Sequence, residues 1–369
     1  MRILVLTPRL PWPPTDGGRV AMSRLATSLA ACGADVQVLS LNPRKHRGVP
    51  QGPLPVQAID IDTSRFVIPP RGVPYVVARF ISPGFRDALQ RFDADVVQIE
   101  SPFMLPYARF VKNAKVVLRS LNVEFRIWEG LARNEPNPLR RIALRRVASS
   151  LREYELRMMN EVDAIVPISD DDARDFRSFG CVKPMHVVPC GVIVGQRTAD
   201  GGQRNSVGFI GSLDYRPNQD AVRWILDELW PRVVARAPEA RLSIAGRSPP
   251  EWLRQHAAPV ADAEAFMRAQ SVIIAPLFAG GGMRIKVLEA MALGKPIVAT
   301  TLGAGGIAHD GDVAIADDVE SFADAVVRLL RDPVEAARLG DAARANVARR
   351  YDSDTLARGL LTFYETLRG

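Results

Sequence analysis

The chain has 369 residues, long enough for two domains that each bury a core of their own. With 47% hydrophobic and 24% charged residues it reads as a folded globular protein, which excludes a disordered chain, and no apolar run reaches the ~18 residues of a membrane span. The formal charge of +7 is uneven, because residues 1–189 hold 27 Lys and Arg against 19 Asp and Glu while the remainder hold 21 against 22.

That imbalance predicts an anionic partner for the first half, either a phospholipid surface or a phosphorylated acceptor. A solvated basic surface is the alternative. The opening MRILVLTP enters a strand at once and lacks the apolar stretch and cleavage site of a signal peptide, so a cytoplasmic location is expected. Cys32, Cys181 and Cys190 are odd in number, suit a reducing compartment and form no metal spacing with the scattered His46, His186, His256 and His309. No metal site is expected.

The first unit alternates strands and helices. ILVLTP (3–8) reads as a strand, RLPWPPTDGG (9–18) as a proline-stiffened loop, and residues 19–32 as a helix closed by Gly33. Strands follow at 35–41, 56–61, 95–100 and 115–121, with helical segments at 75–92 and 103–111. This alternation predicts a parallel sheet covered by helices, whose ligands gather beyond the carboxyl ends of the strands. Asp16-Gly17-Gly18 lies at such an end, where glycines let a ligand approach the backbone. A simple turn is the other reading.

Residues 124–161 read as two helices broken by NEPNP (134–138). The second interleaves Arg140, Arg141, Arg145, Arg146, Arg152 and Arg157 with apolar positions, the pattern of a helix resting on anionic lipid or of one whose apolar stripe faces the core. AIVPIS (164–169) is a further strand, Ser169 caps a helix opening on Asp170, Asp171 and Asp172, and HVVPCGV (186–192) closes the unit. IVGQRTADGGQRN (193–205) lacks periodicity and reads as the linker.

The second unit repeats the rhythm. Its elements are a strand at 206–211, a helix at 218–236, a strand at 241–246, short helices at 250–256 and 262–269, strands at 296–301 and 313–316, and two helices to about Arg350. A last helix, 353–367, has no strand after it. Within this unit, SVIIAPLFAGGGMRIKVLEAMALGK (271–295) reads as a buried strand, a glycine turn at 280–282 and a helix opening near Met283. Such a turn aims backbone N–H groups and the helix dipole at an anion, typically phosphate. Lys286 and Glu289 share one helix face and Arg284 reaches the same mouth, so two cations meet a diphosphate and a carboxylate holds a ribose diol. A plain i,i+3 ion pair is the alternative. No G-x-G-x-x-G follows the first strand, and no G-x-x-x-x-G-K-[ST] or G-x-S-x-G is present. What remains is a site for a nucleotide-linked compound, in a cleft that glycine loops of two doubly wound domains face from both sides.

PLFAGGGMRIKVLEAMALGKPIVATTLGAGGI (276–307) resembles the retaining glycosyltransferases of family 4, the group 1 sugar transferases. GFIGSLDYRPNQDAVRWILDELWP (208–231), LSIAGRSPP (242–250), VPISDDDARDF (166–176), LRSLNVEFRIWE (118–129) and TPRLPWPPTDGGR (7–19) carry the resemblance over essentially the whole chain. It implies an α/β GT-B fold with an acceptor-binding domain at 1–192, a nucleotide-sugar domain at 206–350, and a C-terminal helix, 351–369, packing back on the first domain. It also implies a nucleoside diphosphate sugar as donor, UDP-linked first and GDP-linked second, with no metal. The acceptor is then a glycan, a lipid-linked compound or a small molecule. No nucleic-acid partner is expected, and the basic first half is what suggests peripheral contact with anionic membrane.

By that resemblance Glu289 holds the ribose, Arg284 and Lys286 neutralise the diphosphate, and Gly282 and Met283 lie where phosphate and sugar approach. Gly17 and Gly18 face the diphosphate, Gly211 lies on the donor side, Arg247 and Val260 lie in the regions that frame the base, and Asp16 stands on the acceptor side. Three positions depart from the family pattern. Gly281 stands where a first glutamate belongs, Ser212 and Asn218 where a basic pair often stands, and Leu121 where many members carry a histidine. Asn122 and Glu124 are therefore the candidates for touching the transferred sugar or the acceptor. A binding or scaffold protein that kept the fold without transfer is the rival reading.

Overall fold

The computed structural model describes residues 1–194, 203–258, 260, 262–279 and 282–368, with the side chain of His46 excepted. Most of the expected linker, and Gly281, lie outside the described residues. One compact unit comprises Met1–Gly191 together with the C-terminal helix Ser353–Arg368; the described residues from Val192 to Asp352 form the other.

The first unit carries β1 (Arg2–Thr7), β2 (Asp35–Pro43), β3 (Val56–Ile61), β4 (Val96–Ile99), β5 (Lys115–Ser120) and β6 (Ala164–Pro167), all parallel, in the order β3-β2-β1-β4-β5-β6. The all-apolar reading of β1 has a direct cause, since a central parallel strand is covered on both faces. Leu4 and Leu6 enter one core with Leu39, Val97 and Leu118, while Ile3 and Val5 enter the other with Val36, Val38 and Val117. The second core is completed by helix Gly17–Ala31 and by Ala357, Leu360 and Tyr364 of the last helix, each wholly buried. The last helix thus covers apolar surface on the sheet's second face, which is why a helix with no following strand is ordered.

A buried polar chain lies on that face. The Tyr364 hydroxyl donates to Gln98 Oε1 at 2.6 Å, the Gln98 amide donates to Glu100, and Arg119 pairs with Glu100 at 2.9 Å with both side chains out of water. Arg119 also donates to the Ala21 carbonyl at 3.3 Å, so the chain ties β4 and β5 to both covering helices.

The second unit carries β7 (Ser206–Ile210), β8 (Arg241–Ala245), β9 (Ala257–Ala258), β10 (Val272–Ala275), β11 (Ile297–Ala299) and β12 (Ala314–Ile315), again all parallel, in the order β12-β11-β10-β7-β8-β9. Both sheets therefore share one topology, with the order reversing at the β1/β4 and β7/β10 neighbours. The helix expected at 218–236 starts at Arg216 and passes through a π turn, Ile225–Leu229, before Trp230–Arg236. Pro231, which has no N–H to give, is the second residue after the widened turn.

Further helix starts differ from the sequence reading. The first helix begins at Gly17, two residues before Arg19, because Asp16 caps it by accepting from the Arg19 N–H at 3.1 Å. The helix expected to open near Met283 begins at Ile285, and Arg284, expected in its first turn, is instead the cap residue, with φ −85° and ψ 79°. The stretch 186–192 runs beside β6 through Val188 N–H to the Pro167 carbonyl at 2.9 Å without becoming a strand.

Candidate active site

In the second unit β7 and β10 are neighbours whose connections leave to opposite sides, so the loops after both strands open at the point where a doubly wound sheet takes its ligand. β10 is buried along its whole length and delivers the chain to Gly282 at φ 78°, a left-handed conformation that a side chain would strain. Met283 and the cap residue Arg284 follow, and then helix Ile285–Ala292.

The glycine-rich turn 303–306 packs directly under this helix start. A Cβ on Gly306 would fall 2.9 Å from Met283 Cα, and one on Gly303 would fall 1.9 Å from the Ala275 carbonyl oxygen. Arg284 Nε donates to the Leu302 carbonyl of that turn at 3.2 Å. Burial lowers the Arg284 pKa, and the nearby Tyr215 raises it. Lys286 Nζ meets Glu289 Oε2 at 2.7 Å, so the two residues read from sequence as either ligand contacts or an ion pair do form the pair. Glu289 is the more covered partner and Lys286 the more exposed, which leaves ammonium protons turned to solvent.

Ser212 and Asn218 have structural work. Asn218 donates to the Ser212 carbonyl at 2.8 Å, and a Cβ on Gly211 would fall 2.8 Å from the Asn218 amide nitrogen, which closes the loop after β7. Arg247, from the end of β8, donates to the Ser212 hydroxyl at 2.8 Å. A guanidinium thus stands over the position where the sequence lacks a cation. Val260 is half-buried, and Gly281 lies outside the described residues.

In the first unit Gly17 and Gly18 are the first two residues of their helix, so their N–H groups point out of its positive end. Arg9 lies against them: a Cβ on Gly18 would fall 2.9 Å from its Nη2, which pairs with Asp16 at 2.7 Å. The Asp16 carboxylate is already engaged as cap and ion-pair partner.

Asn122 accepts from the Ser120 hydroxyl through its backbone carbonyl at 2.7 Å, which fixes the turn leading from β5 into helix Glu124–Asn134. Glu124 opens that helix, and burial pushes its carboxyl up to about 7. Beside it Glu155, on helix Pro138–Met158, is buried and accepts from the Phe125 N–H at 3.1 Å. Burial and the charge of Glu124 push Glu155 up to about 8.

Glu155 was passed over in the sequence, as were Arg9 and the Glu100–Arg119 pair. A signal for Glu155 existed, since it shares the helical stripe of Ala148, Leu151 and Tyr154, where a carboxylate is out of place. The Arg9–Asp16 pair spans a loop without periodicity and left no such signal.

Two family models match. Residues 16–191 match the glycosyl transferase 4-like domain, and residues 204–332 match the glycosyl transferases group 1 domain. Among curated proteins, the chain is similar to a phosphatidyl-myo-inositol mannosyltransferase of Mycobacterium leprae, 36% identical over 44% of this chain and 46% of that one. It is also similar to a GDP-mannose-dependent monoacylated alpha-(1-6)-phosphatidylinositol monomannoside mannosyltransferase of Corynebacterium glutamicum, 28% identical over 56% of this chain and 63% of that one. The match with the first of these spans about half the relative's length. Among solved structures, sucrose-phosphate synthase from Thermosynechococcus elongatus superposes with a TM-score of 0.72 at 15% identity, covering 100% of this chain and 99% of that one. Anabaena Alr3699/HepE in complex with UDP gives 0.68 at 14% identity, covering 99% and 100%. At these identities the two structures share the fold.

Proposed function

Since the chain belongs to the group 1 glycosyltransferases of family 4 and has the GT-B fold, we propose that it moves a hexosyl group from a nucleoside diphosphate sugar to a hydroxyl acceptor, with retention at the anomeric carbon and without a metal. One observation carries the reading. Arg284 caps a helix start on the β7/β10 switch point, and the Lys286–Glu289 pair lies in its first turns, where N–H groups and the dipole already favour an anion.

Glu289 takes the ribose hydroxyls while Lys286, Arg284 and the backbone at Gly282 and Met283 take the diphosphate. Arg247 adds a cation at the end of β8. The bond from the anomeric carbon to the diphosphate oxygen breaks as the acceptor oxygen bonds to the same face. The hydroxyl proton passes to the leaving phosphate. The fixed cations stabilise charge that develops on the leaving group in the transition state, and they need no reorganisation to do so. Within the first unit, Gly17 and Gly18 offer N–H donors at a helix start, and Asn122 and Glu124 are assigned to hydroxyl groups of the acceptor. A carboxyl held near 7 accepts or donates a hydrogen bond at neutral pH.

GDP-mannose is the first donor to assay, ahead of the UDP-sugars, because the curated relatives are named mannosyltransferases and one is named GDP-mannose-dependent. A panel of GDP- and UDP-sugars, each with and without a phosphoinositide acceptor and followed by mass spectrometry, tests the reading. Transfer in the presence of a chelator is the expected result. Calorimetric binding of a donor with no turnover on any acceptor overturns it in favour of a binding protein.

A further inference from the structure

On the reading that the second unit holds a nucleoside diphosphate sugar, we propose that the Tyr215 hydroxyl donates a hydrogen bond to the distal phosphate, the one that leaves, beside Arg284. The turn after β7 is closed from within. Asn218 donates to the Ser212 carbonyl at 2.8 Å and Gln219 to the Leu213 carbonyl at 2.9 Å. The Ser212 hydroxyl donates to Asp214 at 2.6 Å and accepts from Arg247 at 2.8 Å. Arg216, the one cation of residues 212–219, is turned along its helix to both Asp220 oxygens, at 2.7 and 3.0 Å. Every polar side chain of the turn except that of Tyr215 is therefore engaged by the turn or by its own helix. The Tyr215 hydroxyl makes no hydrogen bond among the described residues, and the residue is 47% exposed.

Its position points to the diphosphate. Tyr215 is the cap residue of helix Arg216–Trp224, with φ −92° and ψ 121°, and its side chain makes no capping bond. Arg284 holds the same position on the helix after β10, again without a side-chain capping bond. The two cap residues thus follow the neighbouring strands of the switch point. Tyr215 lies near enough to Arg284 for the two to interact electrostatically. The turn is also tied to the end of β8, through the Leu213 N–H to the Arg247 carbonyl at 3.0 Å, so the phenol is carried on a fixed backbone.

A phenol is a neutral donor, and its bond to an oxyanion strengthens as that oxyanion gains charge. In a sugar nucleotide the distal phosphate carries a single negative charge. When its bond to the anomeric carbon breaks, the freed oxygen keeps the electron pair. The hydroxyl therefore stabilises the leaving state more than the bound donor, which is the condition for lowering the barrier.

Calorimetry on the whole chain with GDP, UDP, GMP and UMP, in the presence of a chelator, tests the contact without an acceptor. The parent binds one diphosphate more tightly than the matching monophosphate. Tyr215→Phe weakens that diphosphate by roughly 10-fold or more, the loss of a hydrogen bond to a charged group, and leaves the monophosphate unchanged. Its thermal midpoint stays at the parent value, because in the free protein the hydroxyl has no partner to lose. In turnover it lowers kcat more than it raises KM for the donor.

Equal diphosphate affinity in the parent and in Tyr215→Phe overturns the proposal and leaves the reading of the site standing. So does a loss shared by diphosphate and monophosphate, or one seen with Tyr215→Ala and not with Tyr215→Phe, either of which assigns the ring to the nucleoside. A loss that comes with a lowered midpoint assigns Tyr215 to folding and overturns it as well. A parent that binds neither diphosphate overturns the reading of the site and the proposal together.

Discussion

Lys286→Ala and Glu289→Ala separate an ion pair that only braces a helix from one that meets a ligand. The pair is 2.7 Å long, with 42% of the Lys286 side chain and 13% of that of Glu289 exposed. Solvent screens an interaction so open, and i,i+3 pairs of this kind are worth about 0.2–1 kcal/mol. Either substitution therefore lowers the thermal midpoint by no more than roughly 2–4 °C in a unit of this size. A fixed cation that stabilises leaving-group charge contributes far more to the transition state, about 2.7–4 kcal/mol or 10²–10³ in rate. The two substitutions also part from each other. Lys286→Ala lowers kcat, because charge builds on the diphosphate only as the bond breaks, whereas Glu289→Ala raises KM for the donor by releasing ribose hydroxyls bound in ground and transition states alike. Steady-state rates of nucleotide release, read beside calorimetric unfolding, give both quantities. A rate within threefold of the parent for both variants, or a loss of rate matched by a midpoint drop above about 8 °C, refutes the site assignment.

Three further outcomes follow from the packing. Glu155 has a pKa raised in the folded state, so it contributes stability that is complete below the ordinary carboxylate range and lost as pH rises through about 8. Glu155→Gln keeps an acceptor for the Phe125 N–H and removes one of two raised carboxyls, so urea midpoints measured from pH 5 to 9 fall in the parent and fall less steeply in the variant, where Glu124 still titrates. Arg119→Met leaves Glu100 buried without its guanidinium and costs about 3–5 kcal/mol in urea unfolding. Gly303→Ala places a methyl 1.9 Å from the Ala275 oxygen, so backbone must move. It costs about 1–3 kcal/mol and, by shifting the Leu302 carbonyl that holds Arg284, weakens donor binding in calorimetry.

Much of the fold was legible because parallel strands covered on both faces must be apolar throughout, and because glycine, proline and capping residues mark their ends. Strand β3 matches its expected bounds, 56–61, and the helix capped by Ser169 begins where its three aspartates predict. Helix starts were less legible, since Asp16 captures Gly17 and Gly18 into the first turn through one side-chain bond. The candidate residues Arg284, Lys286 and Glu289 were legible as types at a spacing, which offered an anion-binding helix mouth and a plain ion pair alike; the structure shows the Lys286–Glu289 pair. Tertiary partners were not legible. That Arg284 reaches the Leu302 carbonyl and that Arg247 crosses from β8 to Ser212 depend on strand order, which no local pattern encodes. The carboxylates of Glu124 and Glu155 lie 31 residues apart in the chain. Only the packing of two helices buries Glu155 and half-buries Glu124, raising both pKa values, because desolvation belongs to the folded surroundings of a side chain and not to its place in the sequence.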